Sequence, residues 1–370
     1  MIWFYIILVV LTFSLNKLTI KYGFNKINYK REISKKNVEI DEEFDITTIL
    51  ENNKRLPVTF LQVNERFPDS FHFKFKTNST ETPGYVVHTV DFFLMPYQRV
   101  KKTYTMLSKQ RGVYMFRNVS LSLGDFIGFE SIDKEIEYLQ ELVVLPKPLY
   151  LEDSLVPYGN YMGDISVRRW IIDDPLMTLG IREYTGREPQ KHIHWNSSIR
   201  YGKLMVKNFD FTTDNSLVFI LNIESHKPFW SFIDKESIEE CISLSRGILE
   251  EIEEAKIPYG FTTNSQIYGF YNGENITYPG VGSSHLEYLL EMLGRVSYSI
   301  TVPLEELIEN IMNRSEKYTT YVIVTPRVFK SYIEPIENFS RQVNSLILIS
   351  LEEENLDCLS ESIIKYVRRK

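Results

Sequence analysis

The residues with the most chemical potential lie between Gly180 and Phe211, where Arg182, Glu183, Arg187, Glu188, Lys191 and Arg200 bring both signs of charge together around Tyr184 and Trp195. Charges mixed this densely with aromatic rings point to a partly buried, hydrogen-bonded network that holds or docks other elements. His192 and His194, two apart, share one face if the segment is a strand, as two imidazole ligands of a metal would need, with Glu188 and His226 as companions. Two histidines so spaced on a polar strand face are more often hydrogen-bonded surface or network residues, and that is the reading preferred over a metal site. Ile193 and Trp195 then occupy the opposite face, which gives Trp195 a packing role. No nucleophile in the stretch has an adjacent base. The chain contains no GxSxG elbow, and Gly280-Val281-Gly282 lacks the third glycine and the lysine of a phosphate loop. These residues describe a non-enzymatic interaction protein without a cofactor. The competing reading is a metal-dependent or hydrolytic enzyme using Glu183, Glu188, His192 and His194.

In order and spacing, Arg182-Glu183-Tyr184, Ile193 with Trp195, Ser197-Ser198, Arg200, Gly202-Lys203-Leu204 and Lys207-Asn208-Phe209 resemble the signature of a bacterial family catalogued as a domain of unknown function, number fifty-eight. The resemblance makes Arg182, Glu183, Tyr184, Lys191, His194, Trp195 and Arg200 the signature residues. It implies an N-terminal membrane anchor, a β-rich domain and a C-terminal domain of von Willebrand factor A type. It also implies a protein partner, a MoxR-type AAA+ ATPase, in assembling or maturing an envelope complex. The chain departs from the family at Gly186-Arg187-Glu188-Pro189, where a Pro-Gly-Asp-Asp turn is usual, and at His194, where an Asp precedes the Trp. An A-type domain binds a divalent cation through an Asp-x-Ser-x-Ser loop that supplies hard oxygen ligands at the carboxyl edge of a parallel sheet. The corresponding loop is Asn222-Ile223-Glu224-Ser225-His226, and Val324-Thr325-Pro326-Arg327 places a cation where a later Asp would help. Asn222, Glu224 and Ser225 are therefore a degenerate metal loop. No metal is expected there in the usual mode, and Glu224 is the one residue that could support a weak site.

These residues need a scaffold, and 370 residues at 43% hydrophobic composition can build two folded domains. A net charge of −7 with no basic domain argues against a general nucleic-acid binder. Cys241 and Cys358 are too far apart in sequence to suggest a disulfide framework or a CxxC metal site. Residues 1–22 carry no charge before Lys17 and predict a transmembrane anchor of roughly 24 Å before that charge. The lysines and arginine that follow, from Lys17 to Lys36, predict a single-pass protein of the cell membrane with its bulk in the cytoplasm. Residues 23–37 form a basic linker. Alternation such as Phe71, Phe73 and Phe75 against His72, Lys74 and Lys76 predicts a β-sandwich over 38–147. Residues 148–215 are a connector carrying the signature. From 216 to 370, apolar runs at Leu217–Ile223, Tyr321–Val324 and Ser345–Leu351 alternate with helical spacing, including a terminal helix over Leu356–Val367. The fold class expected is thus α/β plus all-β: an N-terminal transmembrane anchor, a β-sandwich, then a doubly wound von Willebrand A-like domain.

Overall fold

The computed structural model describes residues 2–124, 130–159, 170, 178–184, 193–209, 216–228, 231–269, 277–313 and 319–369. They fall into two units, Met1–Pro146 and Lys147–Lys370.

The first unit opens with α1 (Ile2–Gly23) and continues with β1 (Ile27–Ile33), β2 (Asn37–Glu39), β3 (Phe44–Asn52), β4 (Val58–Pro68), β5 (Phe71–Phe73), β6 (Ser79–Thr82), β7 (Tyr85–Leu94), β8 (Arg99–Ser108), β9 (Gly112–Phe116), β10 (Val119–Gly124), β11 (Ser131–Ile136) and β12 (Gln140–Leu145). Their sheets run β1-β3-β8-β5, β11-β10-β4-β7-β6 and β2-β12-β9. The period-two pattern does the sorting: on β4, Leu61, Val63, Glu65 and Phe67 all turn inward while the residues between them are less buried. Two apolar clusters result. One is built on Phe44, Phe67, Phe71, Met106 and Phe116, the other on Leu50, Leu61, Val63, Leu94 and Leu121.

The expectation of a transmembrane anchor is corrected: among the described residues no helix is long and apolar enough to cross a membrane. In α1 the apolar run stops at Asn16 and Lys17, with Lys21 in the last turn. At about 1.5 Å per residue the uncharged part falls short of a hydrocarbon core of about 30 Å. The single-pass topology and cell-membrane localisation inferred from that run are corrected with it.

The second unit starts with a helical turn, Leu151–Ser154, and proceeds through β13 (Leu155–Pro157), β14 (Thr178–Glu183), α2 (Trp195–Tyr201), β15 (Met205–Phe209), β16 (Leu217–Leu221), α3 (Lys235–Glu254), β17 (Tyr259–Thr263), β18 (Ser265–Ile267), α4 (Ser283–Arg295), β19 (Val296–Ile300), α5 (Leu304–Met312), β20 (Thr320–Thr325), α6 (Lys330–Ser340), β21 (Ser345–Ser350), a 3-10 turn at Leu356–Cys358, and β22 (Ile364–Arg368). A six-stranded sheet runs β13-β22-β21-β20-β16-β17, and β14-β15 and β18-β19 stand as separate pairs. β13 joins β22 antiparallel, and the other neighbours in the larger sheet are parallel. Its inner strands are buried along nearly their whole length, as strands covered on both faces must be. One of its faces packs Ile220, Ile323 and Leu348 against Leu304, Ile308, Tyr332, Ile336 and Phe339 of α5 and α6.

The expected fold class is also corrected. The described residues distribute themselves over six small sheets with few helices, rather than forming an anchor, one β-sandwich and one doubly wound von Willebrand A-like domain. Leu356–Val367, expected as a terminal helix, is a 3-10 turn followed by β22. Its spacing of Leu356, Leu359, Ile363 and Val367 suits a helix, but the same side chains fill the core from a turn and a strand.

Candidate functional site

The signature stretch is described at residues 178–184 and 193–209. Lys191, Glu188 and His192, together with Arg187, lie outside the described residues. β14 and β15 pair antiparallel, with Glu183 opposite Met205 and Arg182 opposite Val206. Between them sits α2. His194 caps it, Nδ1 accepting the Ser197 N–H at 3.2 Å, and Gly202 ends it at φ 64°, a left-handed conformation that costs a residue bearing Cβ. Ser198, buried, fastens the helix to β15: its Oγ accepts from Met205 N at 2.8 Å and donates to the His194 carbonyl at 3.0 Å. Tyr184 N and His194 N donate to the carbonyls of Leu204 and Met205, each at 2.8 Å.

This frame turns the signature outward. Trp195, Ile199 and Tyr201 are 62%, 81% and 61% exposed, and Leu204 and, on β14, Ile181 are exposed as well. Arg182, Glu183 and Arg200 are exposed and Tyr184 is half-buried; Glu183 pairs with Lys203 at 3.3 Å, a contact open to water. The expectation of a partly buried charge network is corrected at Arg182, Glu183 and Arg200, and that of a packed Trp195 with it. The reason is that His192–Trp195 was read as strand, whereas His194 is a helix cap and Trp195 the first helical residue. Trp195 and Ile199, four apart, lie on one side of α2. Glu183 pairs with Lys203 at the surface, and His194 caps the helix through Nδ1.

The loop after β16 is built differently. Asn222, Glu224 and Ser225 are buried at the carboxyl end of the parallel strands. Asn222 ties three segments together. Its Nδ2 donates to Thr325 Oγ1 at 2.9 Å, and its Oδ1 accepts from Glu224 N at 3.0 Å and from Asn264 Nδ2 at 2.7 Å. Ser225 Oγ accepts from the N–H of Asp234, the N-cap of α3. Glu224, fully buried, points its carboxylate at the start of α5, where Pro303 offers no side-chain cap. Oε2 accepts the Leu304 N–H at 3.0 Å and the Tyr332 hydroxyl at 2.5 Å, placing negative charge where the helix leaves donors unsatisfied. The cation near it is Lys227, whose Nζ lies 3.5 Å from Glu224 Oε1, 2.8 and 3.0 Å from the two Glu305 oxygens, and 4.9 Å from the Tyr332 ring centroid. Arg327, the cation of the later loop, turns to Glu352 at 2.7 Å. Burial, then the Glu224 charge, push the Tyr332 phenol up. Burial works against ionising Glu305 too, but the hydrogen bonds from Lys227 and Ser331 hold it below the ordinary value. Among the described residues no group of three or more His, Cys, Asp or Glu is placed to hold a metal. Asn222 and Ser225 are bound within the protein, and Glu224 Oε1, which has no hydrogen-bond partner, faces the Lys227 ammonium.

A third constellation escaped the sequence reading. Glu65 of β4, fully buried, accepts from the hydroxyls of Tyr29 and Tyr104 and from Thr48 Oγ1 at 3.1 and 3.2 Å; Arg31 Nη1 is 3.8 Å away and His88 Nδ1 4.0 Å. Arg31 is in turn held by Gln140 at 2.9 Å and by the Phe116 carbonyl at 3.2 Å. Burial alone raises the Glu65 carboxyl, but His88, Tyr104, Tyr29 and the Arg31 guanidinium overrule it and hold it below the usual range. The signal was available: Glu65 stands on the apolar side of the Leu61, Val63, Phe67 alternation.

No family model matches the chain, and no curated protein matches it. Among solved structures it is similar to a cohesin module of a Clostridium perfringens family 33 glycoside hydrolase, at 13% identity over 31% of this chain and 96% of that one, with a TM-score of 0.21. It is similar to a CARDB domain from Pyrococcus furiosus at 13% identity, over 32% of this chain and 93% of that one, with a TM-score of 0.20. The sporulation control protein Spo0M of Bacillus subtilis is similar at 16% identity, over 32% of this chain and 49% of that one, with a TM-score of 0.20.

Proposed function

We propose that this chain is a non-enzymatic interaction protein that docks a protein partner through α2 and the β14–β15 pair. The observation that carries the reading is the outward apolar side of α2, where Trp195 and Ile199 are each more than half exposed on a frame fixed by Ser198 and His194, with Tyr201 exposed at the helix end. Large apolar side chains held rigidly in water are costly unless something covers them, and aromatic residues of this kind act as anchors in protein interfaces. Arg200, exposed on the same helix, adds a positive charge beside the face, which calls for a partner with an apolar pocket and an acidic border. The resemblance of the stretch to the family of unknown function makes a MoxR-type AAA+ ATPase the partner to test first. Titration of the purified chain into that ATPase is expected to give binding that weakens about tenfold in Trp195→Ala and Ile199→Glu, with unfolding midpoints unchanged. Equal binding by both variants rejects the face, and absence of binding by the parent rejects the ATPase.

A further inference from the structure

We propose that the first unit carries a strand-acceptor site, a cleft between β5 and β6 that takes an extended segment of a partner protein. It lies in a different unit from α2 and does not rest on the docking face described there. β5 ends the sheet β1-β3-β8-β5, and β6 ends the sheet β11-β10-β4-β7-β6, so each strand has one margin that its own sheet does not use. Both line one cleft of about 570 Å³, within the size range of ligand sites.

The backbone pattern says which groups are presented. In an antiparallel ladder the residues bonded to the neighbour alternate with residues whose N–H and C=O point the other way. On β5, the Ser70 carbonyl accepts from Lys109 N and Lys74 N donates to the Thr105 carbonyl. With His72 opposite Leu107, the series bonded to β8 is Ser70, His72 and Lys74, and Phe73 turns its donor and acceptor outward. On β6, Thr89 N donates to the Asn78 carbonyl, and Thr80 and Thr82 stand opposite Val87 and Tyr85. The series bonded to β7 is therefore Asn78, Thr80 and Thr82, and Glu81 presents its N–H and C=O away from the sheet. Neither strand contains a proline or a register shift, two of the devices that disarm an edge.

The side chains narrow the occupant. Phe75, 67% exposed, lines the cleft just beyond β5. Lys74 is engaged by Glu43 at 2.6 Å, so Lys76 is the cation offered to an incoming strand. Thr77 Oγ1, buried and without a hydrogen-bond partner, also lines the cleft. An extended segment with a carboxylate opposite Lys76 and an apolar side chain against Phe75 satisfies both edges, main chain supplying affinity and alternate side chains specificity.

The test uses the full chain and a fluorescent Val-Glu repeat peptide followed by anisotropy. The parent is expected to bind saturably, with hydrogen exchange slowed at the Phe73 and Glu81 amides. Glu81→Pro removes a donor that the β6–β7 ladder does not use, so the hairpin survives while peptide binding falls about tenfold, the scale of one net backbone hydrogen bond. Lys76→Glu is expected to weaken binding as well. The proposal is overturned if the parent shows no saturable binding, if Glu81→Pro binds as the parent does, or if the exchange protection appears at other strands. Concentration-dependent dimerisation without peptide that Glu81→Pro abolishes would also overturn it, by assigning the edge to a second copy of this chain.

Discussion

Lys227 and Glu224 share one compact group with Glu305 and Tyr332, so their substitutions are not independent. Glu224→Ala strands the Leu304 N–H, the Tyr332 hydroxyl and part of the Lys227 charge, and is expected to cost about 3–5 kcal/mol, as for breaking a buried pair. Lys227→Met leaves two carboxylates without their shared cation; Lys227 is partly exposed, so the cost is lower, about 2 kcal/mol after screening. In urea unfolding, the double variant should cost clearly less than the sum, and additivity would dissolve the group as described. Glu65 makes a prediction with a sign. Its folded pKa lies below the ordinary value of 4.5, so the stability it contributes is complete above that value and drains away as pH falls through the folded value. Glu65→Gln should therefore flatten the acid limb of the stability profile; an unchanged limb would contradict the assignment. The Glu224 group is only half legible in sequence. The Asn222–His226 loop was located from its type of residue, but Lys227 was not singled out, because a salt bridge closing onto a helix 78 residues away leaves no local trace.

Gly202 and Gly247 test how elements are fixed. Gly202 closes α2 at φ 64° with open space where a side-chain carbon would sit, so Gly202→Ala should cost about 1 kcal/mol through conformation alone. A Cβ on Gly247 of α3 would meet the Leu149 carbonyl oxygen at 2.0 Å, and backbone cannot step aside, so Gly247→Ala should cost several times more. Thermal unfolding of the two variants gives the comparison, and equal losses would mean that the 149–151 segment is not pinned to α3. Individual elements followed from local periodicity where it was unambiguous: Leu217–Leu221, Thr320–Thr325 and Ser345–Ser350 are strands, and Lys235–Glu254 is a helix with Ile238, Cys241, Ile242 and Ile248 buried. α2 was missed because seven residues hold only two turns, and the i, i+4 pair Trp195 and Ile199 faces water. With α1 the composition misled, since an apolar run signals a membrane only when it is long enough.

Each unit encloses its own apolar clusters, three of which are confined to residues of one unit or the other. Residues 1–146 and 147–370 expressed separately are therefore expected to unfold cooperatively in urea, each with its own midpoint; a fragment that lacks a sigmoidal transition would refute this. How strands assemble was the part of the architecture least readable from sequence, because the order β13-β22-β21-β20-β16-β17 depends on pairings between distant segments. One such pairing has a consequence in time. Leu155 of β13 stands opposite Arg368 of β22, so the margin of the larger sheet closes only over a loop of more than two hundred residues. On a translating ribosome, β13 emerges long before its neighbour exists and waits as an unmatched strip of main chain while everything between them is made. Chains stalled short of residue 364 would carry that strip unprotected, a natural handle for chaperones and proteases that survey nascent polypeptides.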